Sequence, residues 1–394
     1  MPDLSRKGRK NRKIERMAVL SNGAYSLSNF RGPLIRSLVD RGIRVFALAP
    51  DFDERTRERV REFGAEPVDI AMERTGMRPL RDLLDSIRLA RQLRALELDA
   101  VLSYFIKPVI YGSLAARAVG VPRRFAMVAG VGYVFISDGG SLPVRRRLLR
   151  WLVMRLYKLG FASCEVVFFQ NGDDVDFFTR ARLTGPARVV QIAGTGVDLD
   201  QLPQSSPPLR PVTFLLMARL LREKGIREYA EAARIVSQQR SGAHFVLLGG
   251  FDPNPGSLSR AEIDAWVSGG LLHWYDHVED VRPWLARSSV YVLPSYREGK
   301  PRSTQEALAV GRAVITTDVP GCRDTVVDGL NGFLVPARDS VALAQAMIRF
   351  IDEPSLIVRM GEESRTLAEE RFDVSRINAE MLRAMDIPDR NTAA

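Results

Sequence analysis

Short apolar runs alternate along the chain with longer stretches in which apolar residues recur every three to four positions. That alternation predicts parallel βα units. In the first half the strand candidates are Met17–Ser21, Arg44–Leu48, Val68–Ile70, Ala100–Ser103, Phe125–Val128, Val166–Phe169 and Val189–Ile192. Leu27–Arg41 and Leu80–Leu96 carry helical spacing between them. The segment Gln201–Pro211, QLPQSSPPLRP, then breaks the rhythm, because its four prolines make a stiff, exposed connection. Beyond it the pattern restarts, with strands at Val212–Met217, Phe245–Leu248, Val290–Leu293, Ala313–Thr316 and Phe333–Val335. Helices are predicted at Ile226–Gln238, Thr304–Val310, Val341–Ile351 and Leu356–Phe372. The expected fold class is α/β: two consecutive Rossmann-like, doubly wound domains, binding ligands at the carboxyl ends of their strands in an interdomain cleft. Predicted divisions are a tail over 1–16, an N-terminal domain over 17–203, a C-terminal domain over 204–370, and a last helix and tail over 371–394 that cross back to the first domain.

Composition agrees with a globular protein: of 394 residues, 46% are hydrophobic and 26% charged. The net charge of +10 is unevenly spread. Residues 1–16 hold seven Lys or Arg against Asp3 and Glu15, a net of +5 with too few apolar residues to fold alone. They lack the apolar stretch of a secretory signal, and no run of 18 apolar residues predicts a spanning helix. Cys164 and Cys322 are too few for a disulfide framework and fit a reducing cytoplasm. A second basic cluster, PVRRRLLRWLVMRLYK from Pro143 to Lys158, contains no acid. Arg145, Arg146, Arg147 and Arg150 interleave there with Leu148, Leu149, Trp151 and Leu152. It reads either as a basic amphipathic helix for an anionic membrane surface or as a core helix with a solvated basic face. Together with the tail it predicts a cytoplasmic protein held peripherally at the inner face of the plasma membrane. A basic tail also suits nucleic acid, but neither a helix-turn-helix nor a zinc pattern accompanies it, so no nucleic-acid partner is expected.

Candidate chemistry concentrates in the second half. Val290–Leu293 runs into Pro294, which cannot continue a central strand, so Tyr296–Lys300 is a loop at a strand's carboxyl end. Pro301 suits the first turn of the next helix, leaving the amides of Arg302, Ser303 and Thr304 as a phosphate site. Glu298 precedes that helix and Glu306 lies within it, placed to meet a sugar and a ribose respectively; an isolated glutamate pair is otherwise an ordinary solvated one. In ARLLREKGI, Arg219 and Lys224 follow another strand and form a candidate diphosphate clamp. All three histidines lie in this half; His277, in LLHWYDHVEDV, is a candidate nucleotide contact and His244 a structural residue. The first βα turn, SNGAYSL, offers Gly23 for close backbone approach, yet lacks the GxGxxG of a dinucleotide site, which weakens a dehydrogenase reading.

These residues carry a resemblance. Glu298 and Glu306 resemble the paired glutamates of retaining GT-B glycosyltransferases, glycosyltransferase family four, and Arg219 and Lys224 are placed like that family's diphosphate-binding pair. GTGVDLD at Gly194–Asp200 is similar to the segment that ends its N-terminal domain. NFRGPL (Asn29–Leu34), KPVIYG (Lys107–Gly112), AGVGYVF (Ala129–Phe135), FFQNGDD (Phe168–Asp174) and NGFLVP (Asn331–Pro336) resemble the bacterial branch acting on polyprenyl-diphosphate-linked sugars. The resemblance implies transfer of a hexose or N-acetylhexosamine from a UDP-linked donor to a polyprenyl-diphosphate-linked saccharide. It implies retention of configuration, no metal, and no cofactor beyond the nucleotide sugar as co-substrate. Lys107, Gly130, Gly132 and Tyr133 fall on the acceptor side of the N-terminal domain, where this chain lacks the histidine that many relatives carry. A sugar-nucleotide epimerase of the same architecture and a basic scaffold protein are the competing readings. The sequence leaves the oligomeric state open.

Overall fold

The computed structural model describes residues 13–73, 79–130, 135, 144–254 and 256–389. Two compact units divide the chain: Met1–Ile192 with Ser375–Ala394, and Ala193–Val374.

In the first unit β1 (Arg16–Leu20) leads into two short helices, α1 (Ala24–Phe30) and α2 (Gly32–Val39). One continuous helix over Leu27–Arg41 was the expectation; the break at Arg31 follows from Pro33, which lacks an amide proton and is tolerated only in a helix's first turn. The strands that follow are β2 (Arg44–Ala49), β3 (Glu66–Asp69), β4 (Ala100–Tyr104), β5 (Arg123–Val128), β6 (Val166–Phe169) and β7 (Arg188–Gln191). All pair in parallel in the order β3-β2-β1-β4-β5-β6-β7. Met17–Leu20 are fully buried, as a central parallel strand covered on both faces must be. Two longer helices, α3 (Pro79–Ala95) and α4 (Val144–Phe161), pack on either side of a single π-turn at Pro108–Gly112. Tyr157 and Phe161 pin α4 to the sheet through Phe178, at ring separations of 5.2 and 5.5 Å. The final helix, Val374–Ala384, adds to this unit: the Arg123 guanidinium lies 3.1 Å from Asp386 just beyond it, and Arg188 donates to the Ala384 carbonyl.

The second unit repeats the plan. Its strands are β8 (Val212–Met217), β9 (Ala243–Leu248), β10 (His273–Tyr275), β11 (Val290–Leu293), β12 (Ala313–Thr317) and β13 (Gly332–Val335). They form a parallel sheet ordered β10-β9-β8-β11-β12-β13. The short β10 was not expected, because three residues with two exposed side chains carry no apolar run. Helix α5 (Ile226–Gln239) follows β8, and α6 (Arg302–Ala309) follows β11. The division between units falls at Ile192/Ala193, ahead of the proline-rich segment proposed from sequence. Val197 and Leu202 pack into the second unit's core, and the Val197 amide donates to Phe372 O at 2.8 Å. Buried contacts, not chain stiffness, set the boundary.

Candidate active site at the carboxyl edge of the second sheet

In the second sheet the strand order reverses between β8 and β11, and such a switch point opens a crevice at the strands' carboxyl ends. The loop after β8 carries Arg219 and Lys224, and the loop after β11 carries Glu298. Lys224 ends a short 3₁₀ turn, Arg222–Lys224, and Gly225 then starts α5 in the left-handed region at φ +70°. A side chain at Gly225 would place its Cβ 2.0 Å from the Pro294 carbonyl, so glycine there lets the two loops touch. Across that contact the Lys224 Nζ donates to Glu298 Oε1 at 2.5 Å, and the Ser295 hydroxyl donates to the same oxygen at 2.7 Å. A third loop supports the second: the Glu298 amide donates to Pro320 O at 3.0 Å, with Gly321 at φ +81° packed against the Glu298 carbonyl.

Arg219 is half exposed and donates to the buried Asp252 carboxylate at 2.7 Å. Asp252 belongs to the loop after β9, where the consecutive glycines 249 and 250 admit the backbone; that doubled glycine is the signal sequence reading passed over. Pro301 is the N-cap of α6 rather than its first-turn residue, which leaves Arg302, Ser303 and Thr304 as the first three helical positions. Their amides have no partner within the helix. The Ser303 hydroxyl accepts from the buried Tyr291 phenol at 2.6 Å, tying α6 to β11. Thr304 is buried and its hydroxyl has no hydrogen-bond partner in the protein. Glu306 accepts from Arg302 Nε at 2.9 Å, while Arg302 Nη1 donates to Gly196 O at 3.0 Å. Burial pushes the Glu306 carboxyl above its usual value, against the opposing pull of Arg302. Burial likewise raises the Cys322 thiol to about 12, with the Glu298 charge adding to it, so this cysteine stays protonated and inert.

His277 follows β10, its Cβ near Gly250, at the same sheet edge as Arg219. His244 is exposed and stacks edge-on against His273 at 5.9 Å, so it is a surface residue and not part of the core. The second unit therefore holds Arg219, Lys224, Glu298, Arg302, Ser303, Thr304, Glu306 and His277 on the loops and helix end that follow three of its strands, β8, β10 and β11. The arrangement can neutralise a diphosphate with cations and helix amides, while carboxylates face hydroxyl groups.

Residues 211–353 match the family described as glycosyl transferases group 1. Over 89% of its length the chain is 28% identical to the N,N'-diacetylbacillosaminyl-diphospho-undecaprenol alpha-1,3-N-acetylgalactosaminyltransferase of Campylobacter jejuni, covering 93% of that protein. Over 75% of its length it is 24% identical to the UDP-Gal:alpha-D-GlcNAc-diphosphoundecaprenol alpha-1,3-galactosyltransferase of Escherichia coli, covering 77% of it. The chain is a glycosyltransferase. Its fold is the GT-B fold: the sucrose-phosphate synthase of Thermosynechococcus elongatus superimposes with a TM-score of 0.75 at 18% identity, over 95% of this chain and 98% of that one. Anabaena HepE, solved in complex with UDP, superimposes with a TM-score of 0.73 at 16% identity, over 95% of this chain and 100% of that one.

The transferase's first unit treats its predicted residues less uniformly. Gly23 precedes α1 with extended backbone, and a Cβ there would meet the Asp51 carboxylate at 3.7 Å, so no neighbouring protein group requires glycine. Asp51 instead accepts from the Ala24 amide at 2.6 Å, placing a carboxylate where a dinucleotide phosphate would sit. Lys107 is buried, its Nζ 2.7 Å from Asp82 Oδ1, an ion pair inside the unit rather than a presented cation. Gly130 follows β5 in the left-handed region at φ +93°. Gly132, Tyr133 and the side chains of Arg145 and Arg146 lie outside the described residues. On α4, Arg147 and Trp151 are exposed, whereas Arg150 packs over the Phe135 and Phe177 rings at 5.4 and 5.6 Å. Arg150 therefore covers aromatic surface while keeping its charge. No helix among the described residues is long and apolar enough to cross a membrane.

Proposed function

We propose that this glycosyltransferase moves a hexose or N-acetylhexosamine from a UDP-linked donor to a polyprenyl-diphosphate-linked saccharide in cell-surface polysaccharide or glycan assembly. Transfer retains the anomeric configuration and uses no metal. The observation that carries the proposal is the 2.5 Å contact of Lys224 with Glu298 at the β8/β11 switch point, beside the first turn of α6. A donor diphosphate competes with Glu298 for Lys224 and with Asp252 for Arg219. Once displaced, Glu298 is free to accept from sugar hydroxyls, while Glu306, held by Arg302, accepts from the ribose. Charge that grows on the leaving diphosphate is offset by Arg219, Lys224 and the α6 amides, the role a divalent cation has elsewhere.

Retention is supported by the product names of two relatives, which specify α linkages, since the common UDP-hexoses are themselves α-linked. In a front-face transfer the acceptor hydroxyl gives its proton to the leaving phosphate oxygen, and the protein contributes positioning and charge. The acceptor class follows the same two relatives, whose names specify diphospho-undecaprenol carriers. A carrier of that kind is lipid-bound, which suits peripheral docking at the inner membrane face through the acid-free helix α4.

Incubation with a panel of nucleotide sugars and a synthetic polyprenyl-diphosphate saccharide tests the reading. The expected result is acceptor-dependent release of UDP, with product anomers assigned by NMR. Nucleotide release that is absent across the panel, or an inverted product, overturns it. Activity is expected to survive excess chelator; complete loss restored by Mg²⁺ or Mn²⁺ would show that the fixed cations do not suffice.

A further inference from the structure

The first two turns of α3 are built inside out. Asp82 and Asp85 are only 4% and 7% exposed, whereas Leu83 and Leu84, beside them, are 57% and 56% exposed, and Ile87 is 44% exposed. Burying carboxylates and exposing large aliphatic side chains is costly on both counts. The carboxylates are accommodated: Lys107 binds Asp82 at 2.7 Å, and Arg88 lies 3.4 Å from Asp85. The leucines and the isoleucine have no such compensation among the described residues.

Helix α4 buries an apolar face but also exposes large apolar side chains on its outer one. Leu148, Trp151 and Leu152 are exposed along one stripe, with Trp151 at 54%, while Val153 and Tyr157 face the core. Both helices pack on the π-turn Pro108–Gly112 and so lie close together in one unit. The charge that the two helices themselves expose has a single sign. Arg91 and Arg94 on α3, and Arg147, Arg155 and Lys158 on α4, are exposed, and neither helix exposes a carboxylate, since α4 has none and both acids of α3 are buried.

We propose that α3 and α4 together form a single docking surface for an anionic lipid bilayer, with Leu83, Leu84 and Ile87 entering the headgroup region beside Leu148, Trp151 and Leu152. The assignment of a membrane to α4 rests on the functional reading above; the part played by α3 rests on its own inverted pattern. Charge complementarity selects the occupant. A second copy of this chain would bring the same cations against themselves, whereas an anionic leaflet neutralises them and takes up the apolar side chains. Shallow insertion of two helices also fixes orientation, which a single helix, free to roll about its axis, does not.

Co-sedimentation with phosphatidylglycerol-containing and pure phosphatidylcholine vesicles tests this on the full chain. The protein should pellet with the anionic vesicles alone. Leu84→Asp with Ile87→Asp should weaken that partitioning by roughly tenfold or more, comparably to Leu148→Asp with Trp151→Asp. UDP affinity, measured alongside, should not change, which separates lost docking from lost fold. A second readout uses the burial of both native thiols, Cys164 and Cys322. An environment-sensitive probe attached to Leu84→Cys should shift its emission on anionic vesicles as one attached to Trp151→Cys does. If the wild type ignores anionic vesicles, the membrane reading itself fails. If the wild type binds and only the α4 variants and probe respond, α3 is outside the surface and this inference alone is overturned. The same holds if the α3 variants change self-association and not vesicle binding.

Discussion

Lys224 and Glu298 pair with one another, and the Ser295 hydroxyl holds the same Glu298 oxygen. Lys224→Ala should therefore do two things: remove a charge that matters most as the diphosphate departs, and leave Glu298 without its cation. A fall in turnover of roughly 10²–10³ is expected, with the thermal unfolding curve little changed. Arg219→Ala, at a half-exposed site, should also slow turnover strongly. Modest effects of both in steady-state assays would assign the phosphates to the α6 amides instead. Glu306→Ala should weaken UDP binding by about 1–3 kcal/mol in calorimetry, and unchanged affinity would remove Glu306 from the site. The raised Glu306 carboxyl also has a stability signature. Its folded-state value lies above the unfolded one, so its contribution is fully present below the ordinary glutamate range and is lost as pH rises through the raised value. Urea midpoints of wild type minus Glu306→Gln, from about pH 4 to about pH 7, should fall over that window; a flat difference would mean that Arg302 cancels the burial. At this scale the residue types were legible in sequence, because a strand ending in proline and followed by a helix start places its loop. Partners were not: Asp252 meets Arg219, and Lys224 meets Glu298, only through tertiary packing.

Among elements, the loops after β8, β11 and β12 act as a stack. Gly225 admits Pro294 beneath Lys224, and Gly321 admits the Glu298 carbonyl. Gly321→Ala adds a Cβ only 2.4 Å from that carbonyl oxygen and strains a residue at φ +81°. The loop carrying Glu298 must shift, so kcat should fall at least tenfold, by analogy with the rate lost to small misplacements, while the sheet stays folded. Circular dichroism together with initial rates separates these outcomes; normal rates in a folded variant would show the loop to be pliant. Strand periodicity located most elements of both sheets. It failed where local chemistry was weak, at three-residue β10, and where one proline mattered more than periodicity, between α1 and α2.

For the whole molecule, the +10 charge predicts membrane docking that salt weakens, since each cation near an anionic leaflet contributes roughly 1 kcal/mol within a Debye length. Replacing Arg145, Arg146 and Arg147 by Ser should lower vesicle binding and flatten its salt dependence, leaving UDP affinity unchanged because the residues proposed to bind the donor belong to the other unit. Equal pelleting of wild type and variant would make these arginines a solvated face only. The sequence by itself determined two parallel α/β domains, since a strand buried on both faces needs an unbroken apolar run and its helices need a three-to-four repeat. It also placed the proposed clamp and Glu298 in loops at strand ends, and Glu306 in the helix that follows, since loop position follows from where those runs stop. Tertiary structure decided what contact alone can decide. The boundary lies at Ala193 because Val197 and Leu202 bury themselves in the second core. Lys107 is internal because Asp82 is there to meet it. The outward leucines of α3 are visible only once the fold shows which face of the helix its buried acids occupy.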